Sequence, residues 1–198
     1  MQSRTLRLAA GTVAALALLT ACSGGTGGAT PPSASGSSDI APSGGSGPKV
    51  PAPLPTKDLL SDPCSALTSA EATQVGLASP GRKTDGEVTG CTWTSSGNGQ
   101  NFVAINVAPQ NSNGISDIYD QKAQQAYFET VTVDGYPGAF TSKADLRPSG
   151  NCQLWLGVTD QLAVSINPQL SVGPNKADPC GYAKRFATTF IAHLKAAA

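Results

Sequence analysis

The chain has 198 residues, with 13 basic and 13 acidic side chains and a formal net charge of zero. No run of Lys and Arg occurs, which excludes the electrostatic footprint of a nucleic-acid binder. Only 13% of residues are charged, against about 25% in an average soluble domain, and the dilution lies mainly in an apolar N-terminal stretch and the Gly/Ser/Pro tract behind it.

Residues 1–21 read as an export signal. Arg4 and Arg7 supply a short cationic start, and residues 8–19 are apolar or small apart from Thr12. A helix of about a dozen residues reaches only ~18 Å, short of a ~30 Å hydrocarbon core, so no permanent membrane span is expected. The signal closes on Leu19-Thr20-Ala21-Cys22, and an ordinary export signal places no demand for cysteine there. This stretch resembles the lipobox of bacterial lipoproteins. The resemblance implies cleavage before Cys22 and attachment of diacylglycerol to its thiol, with palmitate-type chains. One acyl chain holds a membrane marginally, whereas two make a stable anchor at roughly 0.8 kcal/mol per buried methylene. The expected location is the outer face of the cell membrane, with the membrane as first partner through the lipid on Cys22.

Residues 22–57 are then the lipidated Cys and a linker of Gly, Ser, Pro, Thr and Ala with hardly any large apolar side chain. Such a segment cannot bury enough surface to offset the entropy of ordering, and a disordered tether is expected. Its reach is about 30–35 Å, stiffened locally at Pro31-Pro32 and at Pro48, Pro51, Pro53 and Pro55.

Residues 58–198 are expected to form a single globular domain, long enough for a core of its own. Removing Cys22 from the five cysteines leaves Cys64, Cys91, Cys152 and Cys180, an even number in an exported chain, so two disulfides are expected. Zinc is disfavoured, because no C-x-x-C pair occurs and His193 is the sole histidine. No cofactor or metal ligand set is expected.

Asp62-Pro63-Cys64 has the N-cap and N1 residues of a helix start, and Thr68 to Glu71 match a capping box, giving a short first helix that ends at Gly76. Residues 91–94 and 102–107 read as a hairpin around Gly97-Asn98-Gly99. Ile115, Ile118, Tyr119, Lys122 and Ala126 follow helical spacing and predict a middle helix over residues 116–127. Residues 129–133 read as a strand, Asp134-Gly135 as a turn, and Ala139-Phe140-Thr141 as a weaker strand. The clearest strand pair is 152–159 with 161–166. Leu154, Leu156 and Val158 share one face, as do Leu162, Val164 and Ile166. A second Asp-Pro-Cys, at Asp178, opens the last helix, whose apolar stripe is Ala183, Ala187, Phe190, Ile191 and Leu194 with Phe186 alongside. The order predicts an α+β fold, an antiparallel sheet flanked by helices.

Each Asp-Pro-Cys places a cysteine in a first helical turn, where a disulfide pins that end to the sheet. Four cysteines allow three connectivities. Cys64–Cys91 and Cys152–Cys180 are favoured, since each joins a helix start to a strand nearby in sequence. The crossed pairing Cys64–Cys180 with Cys91–Cys152 is the main rival.

Asp62-Pro63-Cys64 with Leu67 to Glu71, Gly90-Cys91-Thr92-Trp93, Cys152, and Asp178-Pro179-Cys180 resemble the actinobacterial lipoproteins of the domain of unknown function (DUF) 3558 family. That resemblance implies an actinobacterial cell-envelope lipoprotein with two disulfides and carries over no catalytic residue. The sheet-and-helix order is also similar to the Mog1/PsbP-like fold.

Chemistry-bearing groups are few. His193 would have to serve alone in any Ser–His or Cys–His arrangement, and a structural or solvent-facing role is expected for it. Asp117 and Asp120, three apart, suit the N-terminal end of a helix, and no phosphate-binding Gly motif follows a strand. Trp93 is expected beside its neighbouring disulfide. Trp155 alternates away from the Leu154 face and is the candidate binding residue. The reading is therefore a non-enzymatic binding or accessory domain whose partner is an envelope protein, glycan or lipid. The alternatives are a hydrolase of envelope polymers using two carboxylates, and a carrier of a small apolar ligand.

Overall fold

The computed structural model describes residues 45–86 and 88–198. The expected export signal, Cys22 and most of the expected tether lie outside the described residues. The described residues form seven strands, of which β3 shows the period-two apolar pattern most clearly: β1 (Arg82–Thr84), β2 (Thr89–Thr94), β3 (Phe102–Ala108), β4 (Tyr127–Val133), β5 (Tyr136–Ser142), β6 (Leu154–Thr159) and β7 (Leu162–Gln169). They form one sheet in the order β1-β2-β3-β7-β6-β5-β4, antiparallel throughout. Two meanders, β1–β3 and β4–β7, are thus joined by the β3–β7 pair.

Among the described residues four helices accompany the sheet: α1 (Lys57–Ser61), α2 (Ser69–Gln74), α3 (Ile115–Asp120) and α4 (Pro179–Ala196). The long α4 lays Ala183, Phe186, Ala187, Phe190 and Ile191 against Trp93, Ile105, Leu154, Leu156 and Ile166, all fully or almost fully buried. Trp93 and Phe186 meet with ring centroids 5.9 Å apart. The chain is α+β, as the element order predicts.

Both Asp-Pro-Cys segments cap a helical turn. The Asp178 carboxylate accepts the Gly181 N–H at 2.8 Å and opens α4. The Asp62 carboxylate accepts the Cys64 N–H at 3.0 Å, but there the turn is a 3₁₀ turn, Pro63–Ala66. It cannot run on into α2, because Thr68 as N-cap takes an extended conformation, accepting from the Glu71 N–H while its own N–H donates to the Glu71 side chain. Disulfides join Cys64 to Cys91 and Cys152 to Cys180, with Cα separations of 5.0 and 5.2 Å; the crossed pairing is not formed.

Three segments depart from the sequence reading. The helix expected over residues 116–127 stops at Asp120, a 3₁₀ turn follows, and Tyr127 already belongs to β4. Pairing along β5, from Tyr127 opposite Ser142 to Val133 opposite Tyr136, prevails over the helical spacing. The strand β1 carries Arg82 and Lys83 and no apolar alternation; it is a charged sheet edge. Finally, the folded body begins upstream of Asp58. Leu54 is 6% exposed and its N–H donates to the Val158 carbonyl at 2.9 Å, while the Val50 N–H donates to the Asp160 carboxylate at 3.1 Å. Val158 sits in the register shift of β6 between Gly157 and Thr159, and this frees its carbonyl from the ladder. The end of the linker is therefore docked, through apolar side chains too sparse to register as a pattern.

Each disulfide closes a loop with a sequence separation of 27 or 28, for which the chain-entropy model gives roughly 3–4 kcal/mol. Reduction of both is expected to lower Tm by on the order of 10 °C. Scanning calorimetry with and without reductant measures this, and an unchanged Tm contradicts it.

Candidate functional site

Strand alternation sends a second set of side chains to the face opposite α4. Register aligns Asn106, Ser165, Trp155 and Ala139 across β3, β7, β6 and β5, and the next row contains Asn167 and Thr141. The amides of Asn106 and Asn167 both donate to the Ser165 hydroxyl, at 3.3 and 2.9 Å. This face is polar where the other is apolar.

Only part of it is covered. Helix α3 sits on β5 and β6, where the strands offer Gly157 and Ala139. A Cβ at Gly157 would lie 3.1 Å from Ile115, so the small residue admits the helix. Tyr119 fixes α3 by donating its hydroxyl to the Gly138 carbonyl at 3.2 Å and by an edge-on contact with Phe128. Beside α3 the sheet is left open as a groove of about 440 Å³.

Five primary amides line that groove: Gln110, Asn111, Gln121, Gln125 and Gln153. They come from the β3–α3 loop, the end of α3, the 3₁₀ turn behind it and the residue before β6. Thr141 and Ser142 add hydroxyls, Ile118 and the half-buried Trp155 add apolar surface, and Lys143 is the one charged residue in the lining. A smaller hollow of about 170 Å³ shares Ser142 and Gln153 and continues to Asn151, Asn167 and Gln169. Thr141 is 2% exposed, and its hydroxyl has no hydrogen-bond partner among the described residues.

The wall of the smaller hollow is clamped. Arg147 binds Asp145 through Nε at 2.8 Å and Nη2 at 2.7 Å, reaches Glu129 at 2.6 Å, and stacks 4.0 Å over the Tyr127 ring. Hydrogen bonding to Asp145, then to Glu129, pushes the guanidinium further above its ordinary range, and the Arg147 bond holds the Asp145 carboxyl below its own.

The other groups singled out in the sequence are engaged elsewhere. His193 Nδ1 lies 3.0 Å from Glu71, tying α4 to the capping box of α2. Burial alone would raise the Glu71 carboxyl, but the Thr68 N–H and hydroxyl and then the His193 ring hold it below the ordinary carboxylate range. Asp117 accepts the backbone and side-chain N–H groups of Asn113 at 3.1 and 2.9 Å. Asp120 accepts the Ser46 hydroxyl. Trp93 is in the core on the same strand as Cys91. Trp155 alone of the singled-out residues lines the groove. The amides and Thr141 went unnoticed in the sequence, and the available signal was the strand phase, which puts Gln153 on the same face as Trp155.

The architecture defines a class: a disulfide-stapled α+β domain with one helix-packed sheet face and one open, neutral, amide-lined face. The model of a family described as "Protein of unknown function (DUF3558)" matches residues 17–193, and the chain belongs to that family. No curated protein and no solved structure matches the chain, so the Mog1/PsbP-like likeness rests on element order alone.

An unpaired buried hydroxyl costs roughly 1–3 kcal/mol. Thr141→Val, which keeps the shape and removes the hydroxyl, is expected to raise stability by about 1 kcal/mol in urea unfolding. A loss of stability would show that the hydroxyl is already satisfied.

Proposed function

We propose that this chain is an actinobacterial cell-envelope lipoprotein with a non-enzymatic binding domain. In this reading lipid on Cys22 anchors it to the outer face of the cell membrane, the Gly/Ser/Pro tether gives it reach, and the groove at Trp155 is its binding site. The observation that carries the binding role is the groove itself: a hydrogen-bonding lining with a single charged residue, an indole and a hydroxyl unsatisfied among the described residues, at a volume usual for ligand sites. The lipobox supports the anchor, and the two disulfides suit an oxidising compartment outside the cytoplasm.

The alternatives have less behind them. Glycoside hydrolysis needs two carboxylates about 5–9.5 Å apart in one cleft, and the groove lining includes neither Asp nor Glu. A carrier of an apolar ligand needs a cavity between helix and sheet, where Trp93, Phe186, Phe190 and Leu154 instead fill the space among the described residues.

Two variants of the full chain test this in a host that processes the signal. Cys22→Ala is expected to move the protein from the membrane fraction to the soluble one, and retention in the membrane would contradict the anchor. Trp155→Ala, combined with Cys22→Ala so that lipid insertion does not contribute, is expected to lower co-sedimentation with isolated cell envelope by at least about tenfold relative to Cys22→Ala alone, as truncation of a central interface aromatic does. Unchanged co-sedimentation would contradict the site.

A further inference from the structure

We infer that the groove binds a neutral saccharide, an inference that rests on the binding role proposed for the Trp155 groove. A site for an anion concentrates Arg, Lys or backbone N–H groups, and a site for a cation concentrates carboxylates. This groove offers Lys143 alone of the first kind and no side-chain carboxylate. An apolar ligand would be matched by an apolar lining, but here Ile118 and Trp155 are outnumbered by amides and hydroxyls.

A carboxylate only accepts and an ammonium only donates, whereas a primary amide does both from one planar group. Gln110, Asn111 and Gln153 make no side-chain hydrogen bond among the described residues, so both functions are open to a ligand. The complement of many groups that both donate and accept is a ligand whose own groups do the same. Hydroxyls do, and vicinal hydroxyls lie close enough together to engage both ends of one amide. Beneath them the buried Thr141 hydroxyl is unpartnered among the described residues.

The apolar component fits the same ligand. A pyranose ring presents hydroxyls at its rim and C–H groups on its faces, and the half-buried Trp155 indole offers a flat apolar surface that suits such a face. The continuation of the groove past Gln153 into the smaller hollow gives an elongated site, suited to more than one sugar ring. A peptide would more readily add to a sheet edge. The edges here are β1 and β4, whereas Gln153 and Trp155 stand on the interior strand β6 or directly before it.

The test treats isolated envelope separately with periodate, protease or chloroform–methanol and measures co-sedimentation of the full chain carrying Cys22→Ala, which removes lipid insertion, alone and with Trp155→Ala, Thr141→Val, or Arg185→Ala as a control away from the groove. Periodate, which cleaves vicinal diols, is expected to reduce binding at least tenfold. Protease and solvent are expected to leave it unchanged, as is raised salt. Neutral tetrasaccharides of glucose, mannose, galactose or N-acetylglucosamine are then titrated calorimetrically. At least one is expected to bind, weakened tenfold or more by Trp155→Ala and severalfold by Thr141→Val, with Arg185→Ala unaffected. Loss of Trp155-dependent binding on protease or solvent treatment alone would overturn the saccharide and leave the binding role standing. Saccharide affinity indifferent to both groove variants would overturn the saccharide assignment of this groove. Absence of any Trp155 dependence would overturn the binding role as well.

Discussion

The pairing of β3 with β7 is the constraint on which the rest of the structure depends. It joins residues some sixty positions apart, with Ile105 opposite Ile166 and Asn106 opposite Ser165. Because side chains alternate, the register that buries the two isoleucines under α4 also sets the amide and the hydroxyl on the other face. A slip by one residue would exchange the two faces, placing polar groups in the core. Core and groove floor are therefore two consequences of one register.

The faces are covered unequally. Helix α4 packs on β7, β6 and β4 with a continuous apolar stripe, whereas α3 has six residues and settles where Gly157 and Ala139 leave room. The segment upstream of α1 shares this end of the molecule: Val50 bonds Asp160 and Ser46 bonds Asp120. Thus this segment meets the body at α3, the helix that also borders the groove through Ile118 and its C-cap Gln121. The Cys152–Cys180 disulfide holds the entry to β6, immediately before Gln153, against the first turn of α4. That cross-link fixes one wall of the groove as well as the helix, and the Arg147 clamp fixes the adjoining loop.

Elements whose signal is local were legible in the sequence. The alternating β3, β6 and β7, the striped α4 and the Asp-Pro-Cys caps are each written in consecutive residues, and the cysteine pairing followed from their nearness along the chain. Other features depend on what a segment meets. The strand β1 is charged and exists by pairing with β2. Leu54 and Leu59 are isolated apolar residues in a polar context, yet both are buried. Residues 121–127 keep a helical spacing that β4–β5 pairing overrides. Trp155 was visible through its strand phase. The amides around it were not, because they come from separate segments and uncharged polar residues carry no periodic signature.

The central claim is that the open face of the sheet is the binding surface and that its occupant is a neutral sugar. The most direct measurement is an NMR titration of the isotope-labelled full chain with the tightest-binding neutral tetrasaccharide. Progressive shifts are expected at the Trp155 indole N–H and at the side-chain amides of Gln110, Asn111 and Gln153, while the Trp93 indole stays in place. Shifts centred instead on the Tyr182 and Arg185 surface or on β1, or no shifts at any concentration, would contradict the account.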